Sequence, residues 1–325
     1  MNTSTIDDQA LADLVQLACR APSVHNSQPW RLVARNGELR LFVAAERVPH
    51  ATDHSGREAV ISCGALLDHI RVAATASGWK AGIARFPNPN ELDHLATITF
   101  RPLEFVTDAD RTRAGAILRR RTDRLPFAAP PAWETFEPAL RSTIDPTKAT
   151  LQILDDSVRP RLAQASRLTE SLRRYDTSYH AELRWWTSPS EVSEGLPYGS
   201  LASAAELQRV DLARAFPDGE DRDRRPDVTR DRSAIAVLST RADGRREALG
   251  CGEVLSDVLL EATVADLATC TLTHMTELEA SRSIIRTMAG GDPQLLIRIG
   301  TVPELSELPS ATPRRPLDEV LELRD

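Results

Sequence analysis

CGALLDHIRVAAT, residues 63–75, returns at a constant offset as CGEVLSDVLLEAT, residues 251–263. Cys-Gly, a leucine and Ala-Thr recur, and Ile70 and Val258 exchange one branched apolar residue for another. Each copy sits in a long apolar helical pattern, about 57–77 and 246–270, the first turning Leu66, Leu67, Ile70, Ala73 and Ala74 to one face. Two buried helices can converge on such residues independently. The agreement in the order of elements around each copy favours duplication, with two related halves packed about a pseudo-twofold axis.

Around the first copy, 7–20 has helical spacing, and WRLVA (30–34) and LRLFVA (39–44) read as strands joined through Asn36-Gly37. KAGIARFP (80–87) and LATITFRP (95–102) read as two more. Around the second, helices are expected at 110–121, 130–143 and 159–175, and strands at 150–155, 233–240 and 294–300. The fold class is α+β, two duplicated α/β halves in one chain, residues 1–107 and 108–325. Residues 176–231, rich in Pro, Gly and charge, interrupt the second half. A loop of that length is a functional cover or is disordered.

The chain has 325 residues, 41% of them hydrophobic and 27% charged, with a net charge of −7. That balance gives no electrostatic support for nucleic-acid binding. No apolar run suggests a membrane span, and MNTSTIDDQA lacks the basic start of a signal peptide. Cys19, Cys63, Cys251 and Cys270 have neither zinc-like nor disulfide-framework spacing, which suits a reduced, cytoplasmic setting. His50 and His54 lie in a turn-like stretch with no third metal ligand.

Three short stretches carry chemistry. APSVHNSQPW (21–30) places Ser23, His25, Asn26 and Gln28 between a helix and a strand; helix capping and an Asx-turn account for them as well as a ligand does. RRRTDRLPF (119–127) sets Arg119, Arg120, Arg121 and Arg124 around Thr122, which is either a solvated face or a phosphate site. TPRRPLDEV (312–320) holds Arg314 and Arg315 ahead of an amphipathic tail that is able to dock.

Taken together, these stretches resemble the nitroreductase superfamily of flavin enzymes, and within it the Acg family. APSVHNSQPW resembles its Ala-Pro-Ser-x-x-Asn-x-Gln-Pro-Trp motif, RRRTDRLPF its Arg-x-Ser/Thr-x-Arg/Lys helix and TPRRPLDEV its basic C-terminal motif. DLATCTLTHMTELE (266–279) resembles the segment that passes the reactive edge of the flavin. The resemblance implies one FMN between the halves of a single chain, with no side-chain catalytic acid or base and no metal.

By the same resemblance, Arg120, Thr122 and Arg315 hold the phosphate, with Arg121 and Arg314 nearby. Pro22, Ser23, Asn26 and Gln28 belong to the loop at the ring or ribityl chain, Arg124 lies by the pyrimidine side, and Thr273 and His274 form the turn at N5. Thr273 stands where nitroreductases commonly have glutamate. Residues 176–231, with Trp185, Trp186 and Tyr198, correspond to a lid, although the two tryptophans fit a role capping the core equally well. The implied activity is reduction of nitroaromatics or quinones by NAD(P)H, and the alternative is FMN storage under a closed lid with little turnover. The chain is expected to work as a monomer, with a dimer left open.

Overall fold

The computed structural model describes residues 6–187, 194–217, 219, 221–303 and 311–324. Residues 1–5, which belong to the stretch read for a leader, and 188–193 of the expected lid lie outside the described residues.

Helix α1 (Asp8–Ala18) starts where the Asp7 carboxylate accepts from the Ala10 N–H at 2.8 Å. β1 (Trp30–Arg35) and β2 (Glu38–Val43) are joined by Asn36 and Gly37 at φ 52° and 74°, the two positive values that a type I′ hairpin turn requires. α2 (Arg57–Ala76), β3 (Trp79–Arg85) and β4 (His94–Pro102) follow. α3 (Asp108–Arg119) opens with a reciprocal Thr107–Asp110 capping box. Next come α4 (Trp133–Thr143), β5 (Thr150–Leu154), α5 (Arg159–Arg173), α6 (Thr177–Trp186), α7 (Ala204–Leu207) and β6 (Ala234–Thr240). α8 (Arg245–Val264), β7 (Ala268–Leu272), α9 (His274–Glu277), α10 (Glu279–Arg286), β8 (Asp292–Gly300) and β9 (Leu321–Arg324) complete the order.

The strands form two sheets, β3-β4-β2-β1-β9 and β5-β6-β8-β7. Without β9, the two have one topology: β1, β2, β3 and β4 stand in the order that β5, β6, β7 and β8 repeat, with every pairing antiparallel. The β2–β4 and β6–β8 ladders each carry one register shift. β9 then adds in parallel to β1, so the end of the chain returns to the first sheet.

Between the sheets α2 crosses α8 at the repeated glycines. A Cβ on Gly64 would stand 2.1 Å from the Leu249 carbonyl oxygen, and one on Gly252 would stand 2.0 Å from that of Ile61. The contact is reciprocal between equivalent positions of the repeat, and only hydrogen allows backbones to approach so closely. One hydrophobic core runs through this crossing, from Leu14 and Trp30 to Leu66, Ile70, Val254, Val258 and Ile297. α2 has the length and mean hydropathy (1.3) of a membrane-crossing helix, but 83% of that window is buried in the protein, so the core accounts for its composition. All four cysteines are buried and unpaired.

Four local expectations change. The helix expected over 246–270 stops at Val264; Asp266 turns the chain at φ 55° and 268–272 becomes β7. No Gly or Pro marks that break. The described residues of 176–231 include α6 and α7. The amphipathic tail docks as β9. α3 ends at Arg119, because Arg120 takes ψ 131°, so Arg120, Thr122 and Arg124 lie beyond a helix and not on one.

Candidate functional site

The 21–30 loop is strained. His25, Asn26 and Gln28 have φ values of 49°, 57° and 50°, which non-glycine residues adopt only when their surroundings impose it. Those surroundings are visible. Asn26 Nδ2 donates to the carbonyls of Gly195 (2.9 Å) and Pro313 (3.1 Å), and its Oδ1 accepts from Arg314 Nη1. Gln28, fully buried, accepts from the Arg315 N–H at 3.0 Å and donates to the Asn26 carbonyl. The Ser23 hydroxyl accepts from the Gln28 N–H. Asn26 and Gln28 therefore tie the loop to the C-terminal segment, while Pro22 and Ser23 form cavity wall.

A basic recess is lined by Pro22, Ser23, Asn26, Arg120, Arg121, Thr122, Arg124 and Arg314, with Leu196, Ser200 and Thr312. The sequence motifs from the two ends and the middle of the chain thus meet. Arg314 donates to the carbonyls of Cys19, Arg20 and Ala21, the C-terminal end of α1. Arg120, 5% exposed, donates from Nη2 to the Arg20 carbonyl, and its Nε and Nη1 are buried with no partner. Arg121 donates to the Leu118 and Arg120 carbonyls.

Among the described residues no carboxylate pairs with Arg20, Arg120, Arg121 or Arg314. The helix end offers them only about half a negative charge. Burial, then Arg121 and Arg20, pulls Arg120 down to about 10; burial, then Arg120 and Arg20, pulls Arg314 down to about 9. Four guanidiniums that repel one another, with two donor nitrogens of Arg120 unfilled, make a recess whose charge would be offset by an anion. Arg315 departs from expectation: its guanidinium turns to the Glu319 carboxylate (3.3 Å) and carbonyl (2.7 Å), outside the recess.

The recess shares Pro22, Ser23, Thr122 and Arg124 with a larger chamber of about 1000 Å³, counting solvent at its mouth. Its walls come from α2 (Glu58, Ile61, Ser62), β7 and the following turn (Cys270 to His274), and Ala202, Leu207, Leu212, Ala213, Arg214 and Phe216 from the 176–231 segment. Arg124 lies over the Phe216 ring, 5.2 Å from its centroid. Trp185 is exposed, Trp186 is buried and neither lines the chamber; Phe216 is the aromatic residue there. The Tyr198 hydroxyl donates to the Gly219 carbonyl.

Arg214 organises one end. It donates to the Tyr179 hydroxyl (2.9 Å) and Thr273 Oγ1 (3.1 Å), and pairs with Glu277. Burial alone would weaken its hold on a proton, but Glu277 and Tyr179 overcome that and raise its pKa. Thr273 is thus fixed by its side chain, leaving the backbone of the turn to face the chamber. His274 Nε2 meets Ser166 Oγ at 2.9 Å, and burial with Arg214 nearby pushes its pKa well below the usual range. His25, against Thr52, is depressed likewise by burial, Arg214 and Arg124. Both rings are neutral.

The 176–231 segment is tied to residues 26–52. Glu182 on α6 accepts from the Ala51 and Thr52 N–H groups, Glu194 pairs with Arg47, and Gly195 holds Asn26. Of the expected residues, Pro22, Ser23, Asn26, Arg120, Arg121, Thr122, Arg124 and Arg314 line the recess, and Thr273 and His274 line the chamber. Gln28 and Arg315 line neither. Sequence reasoning missed Arg20, Glu58, Arg214 and Phe216. Arg20 had a signal, a cation at a helix end beside the loop motif. Arg214 and Phe216 lie in an irregular segment with no motif. No group of three or more metal-ligating side chains occurs among the described residues.

No family model matches the chain. A Mycobacterium tuberculosis H37Rv protein bearing the provisional name NAD(P)H nitroreductase acg is 55% identical over 326 residues, spanning 100% of this chain and 98% of the relative. A second from that strain, provisionally named NAD(P)H nitroreductase Rv3131, is 36% identical over 342 residues, 99% of this chain and 94% of the relative. Among solved structures, the FMN-dependent nitroreductase NfnB of Mycobacterium smegmatis in complex with NADPH aligns with 65% of this chain and 97% of its own, at a TM-score of 0.40 and 15% identity.

Proposed function

Because this chain belongs to the Acg family of nitroreductase-like proteins, we propose that it binds one FMN and uses NAD(P)H to reduce small aromatic acceptors, nitroaromatics or quinones. The observation that carries the reading is the basic recess: Arg120, Arg121 and Arg314 line it without a carboxylate partner, two buried donor nitrogens of Arg120 have no acceptor, and it shares Pro22, Ser23, Thr122 and Arg124 with the chamber. A phosphate monoester attached to a flat ring system fits that charge and that shape.

In this reading Arg120 donates through Nε and Nη1 to phosphate oxygens, Arg121 and Thr122 add donors, and Arg314, whose own N–H groups are held by the protein, adds field together with Arg20. Pro22 and Ser23 wall the ligand, and Arg124 offers a cation at the ring. The turn at Thr273 presents backbone, and Leu212 and Phe216 keep water out. Bound FMN supplies the two-electron chemistry between nicotinamide and acceptor.

We read residues 1–107 and 108–325 as a duplicated pair, with 176–231 as a lid inserted in the second. The shared strand order and the reciprocal glycine contact support this. One chain then provides a whole site, and a monomer suffices. Storage of FMN is the second reading, favoured by the anchoring of the 176–231 segment through Glu182 and Gly195.

The test is spectroscopic and kinetic. Purified protein should take up one FMN per chain and oxidise NADPH when menadione or a nitrofuran is added. Failure to take up FMN sinks both readings. Tight uptake with negligible NADPH oxidation rejects the reductase in favour of storage, and brisk turnover rejects storage.

A further inference from the structure

The first turn of α2 puts a carboxyl into the chamber wall that none of the roles above uses. Glu58 is 2% exposed, and neither of its carboxyl oxygens has a hydrogen-bond partner. Every cation near it is already engaged. Arg57, 3.8 Å away, donates to the Gln294 carbonyl (2.9 Å) and side chain (3.0 Å) and to the Thr276 carbonyl (2.9 Å). Arg214 is held by Glu277, Tyr179 and Thr273. The other facing groups give no compensation: Asp53 accepts from the Ala59 N–H at the start of the same helix, and Glu277 is a like charge. His25 and His274, which also line the chamber, have pKa values pushed well below the usual range by burial.

An ionised carboxylate in this position would be buried, without a hydrogen bond and next to other acids, with only the long Arg57 contact at 3.8 Å to offset them, so the group keeps its proton. Burial, then Glu277 and Asp53, pushes it up to about 8. A neutral carboxyl carries one O–H donor. No protein atom accepts from it here, and buried donors find acceptors. The chamber that Glu58 lines is the place from which an acceptor can come.

We propose that Glu58 presents a proton to the oxygen of a quinone or nitro acceptor lying in the chamber, which makes it a catalytic residue and a determinant of selectivity for neutral oxo-acceptors. This rests on the reductase reading above. For a quinone the balance is simple. The NAD(P)H-driven reaction delivers two electrons and one proton as a hydride equivalent, Glu58 gives the second proton to the other oxygen, hydroquinone leaves, and the Glu58 carboxylate regains a proton from water.

Infrared difference spectra of the FMN-loaded protein, recorded from below to above pH 8, read the proton directly. Wild type should lose the carbonyl band of a protonated carboxylic acid near the midpoint of about 8. Glu58→Gln should lack that band, and Glu58→Asp should restore a pH-dependent one. Menadione binding to the same protein should weaken by about tenfold per pH unit above the midpoint in wild type and not in Glu58→Gln. A band that persists in Glu58→Gln, or menadione binding with one pH dependence in both proteins, overturns the assignment. If NADPH-driven turnover is absent in both while the band and the binding difference remain, the reductase reading fails and the proton on Glu58 stands.

Discussion

Replacing Arg120 by methionine should move stability and affinity in opposite directions. In the flavin-free protein the Arg120 guanidinium is buried with Nε and Nη1 unpartnered, beside Arg20 and Arg121. Its pKa falls from 12.5 to about 10. At 1.36 kcal/mol per unit this is a penalty of about 3 kcal/mol on the charged form. The sign follows from linkage: the folded state binds a proton here less tightly than the unfolded chain does, so the penalty is complete at any pH below about 10 and is relieved only above it. Methionine removes the charge and keeps most of the bulk. Against the gain stands the lost hydrogen bond to the Arg20 carbonyl, about 1 kcal/mol. The net expectation is a flavin-free protein more stable by about 1–2 kcal/mol, a few degrees in Tm at about 2–4 °C per kcal/mol. The same change deletes a charge-assisted phosphate contact of about 1.5–3 kcal/mol, so FMN dissociation constants should rise roughly 10- to 150-fold. Differential scanning fluorimetry without FMN and a fluorescence titration with it measure the two effects. An Arg120→Met protein that melts lower than wild type without ligand, or that binds FMN as tightly, would falsify the argument that the recess is an unfilled anion site.

Gly64→Ala and Gly252→Ala should each destabilise by about 1–3 kcal/mol or more through overpacking, since their new methyls meet backbone at 2.1 and 2.0 Å. Gly115→Ala, on an open face of α3, should instead stabilise by about 0.5–1 kcal/mol, and urea midpoints of the three variants should separate accordingly. Because the folded state raises the Glu58 pKa from 4.5 to about 8, it holds more protons than the unfolded chain in that window, so this residue's contribution to stability falls as pH rises from about 4.5 to about 8. Glu58→Gln should flatten the stability–pH curve by a few kcal/mol over those units, and parallel curves for the two proteins would refute it. Arg214→Leu leaves the buried Glu277 carboxylate with only the longer Arg173 contact (3.8 Å) and should cost about 3 kcal/mol, read as a lower urea midpoint with an unchanged slope.

Much of the frame was legible because it rests on local patterns. The apolar spacing of 57–76, the Asn36-Gly37 turn and the Cys-Gly repeat each specify backbone by themselves, and the crossing of α2 and α8 at Gly64 and Gly252 is the repeat expressed in three dimensions. The basic recess was legible in part: Arg120, Thr122 and Arg314 lie in short motifs. Three kinds of residue escaped. Arg315 looks identical to Arg314 in sequence, and only the path of the tail into β9 decides which of the two faces the recess. Arg214 and Phe216 are positioned by tertiary contacts from an irregular segment that has no period to read. Glu58 reads as an ordinary acidic residue in a helical first turn, and its chemistry arises from what its neighbours are bonded to. β7 was hidden because a left-handed aspartate, Asp266, ends α8 where no Gly or Pro announces it.

The union of Arg314 with the Arg20 carbonyl joins residues 294 positions apart. During synthesis, therefore, the pocket for the anion stays unfinished until a ribosome has translated nearly everything that precedes residue 314. The early half emerges with its strained loop lacking the strap that holds Asn26 in place. If the recess holds FMN as proposed, loading should follow release of that late segment from the exit tunnel, and nascent chains arrested before it should emerge empty.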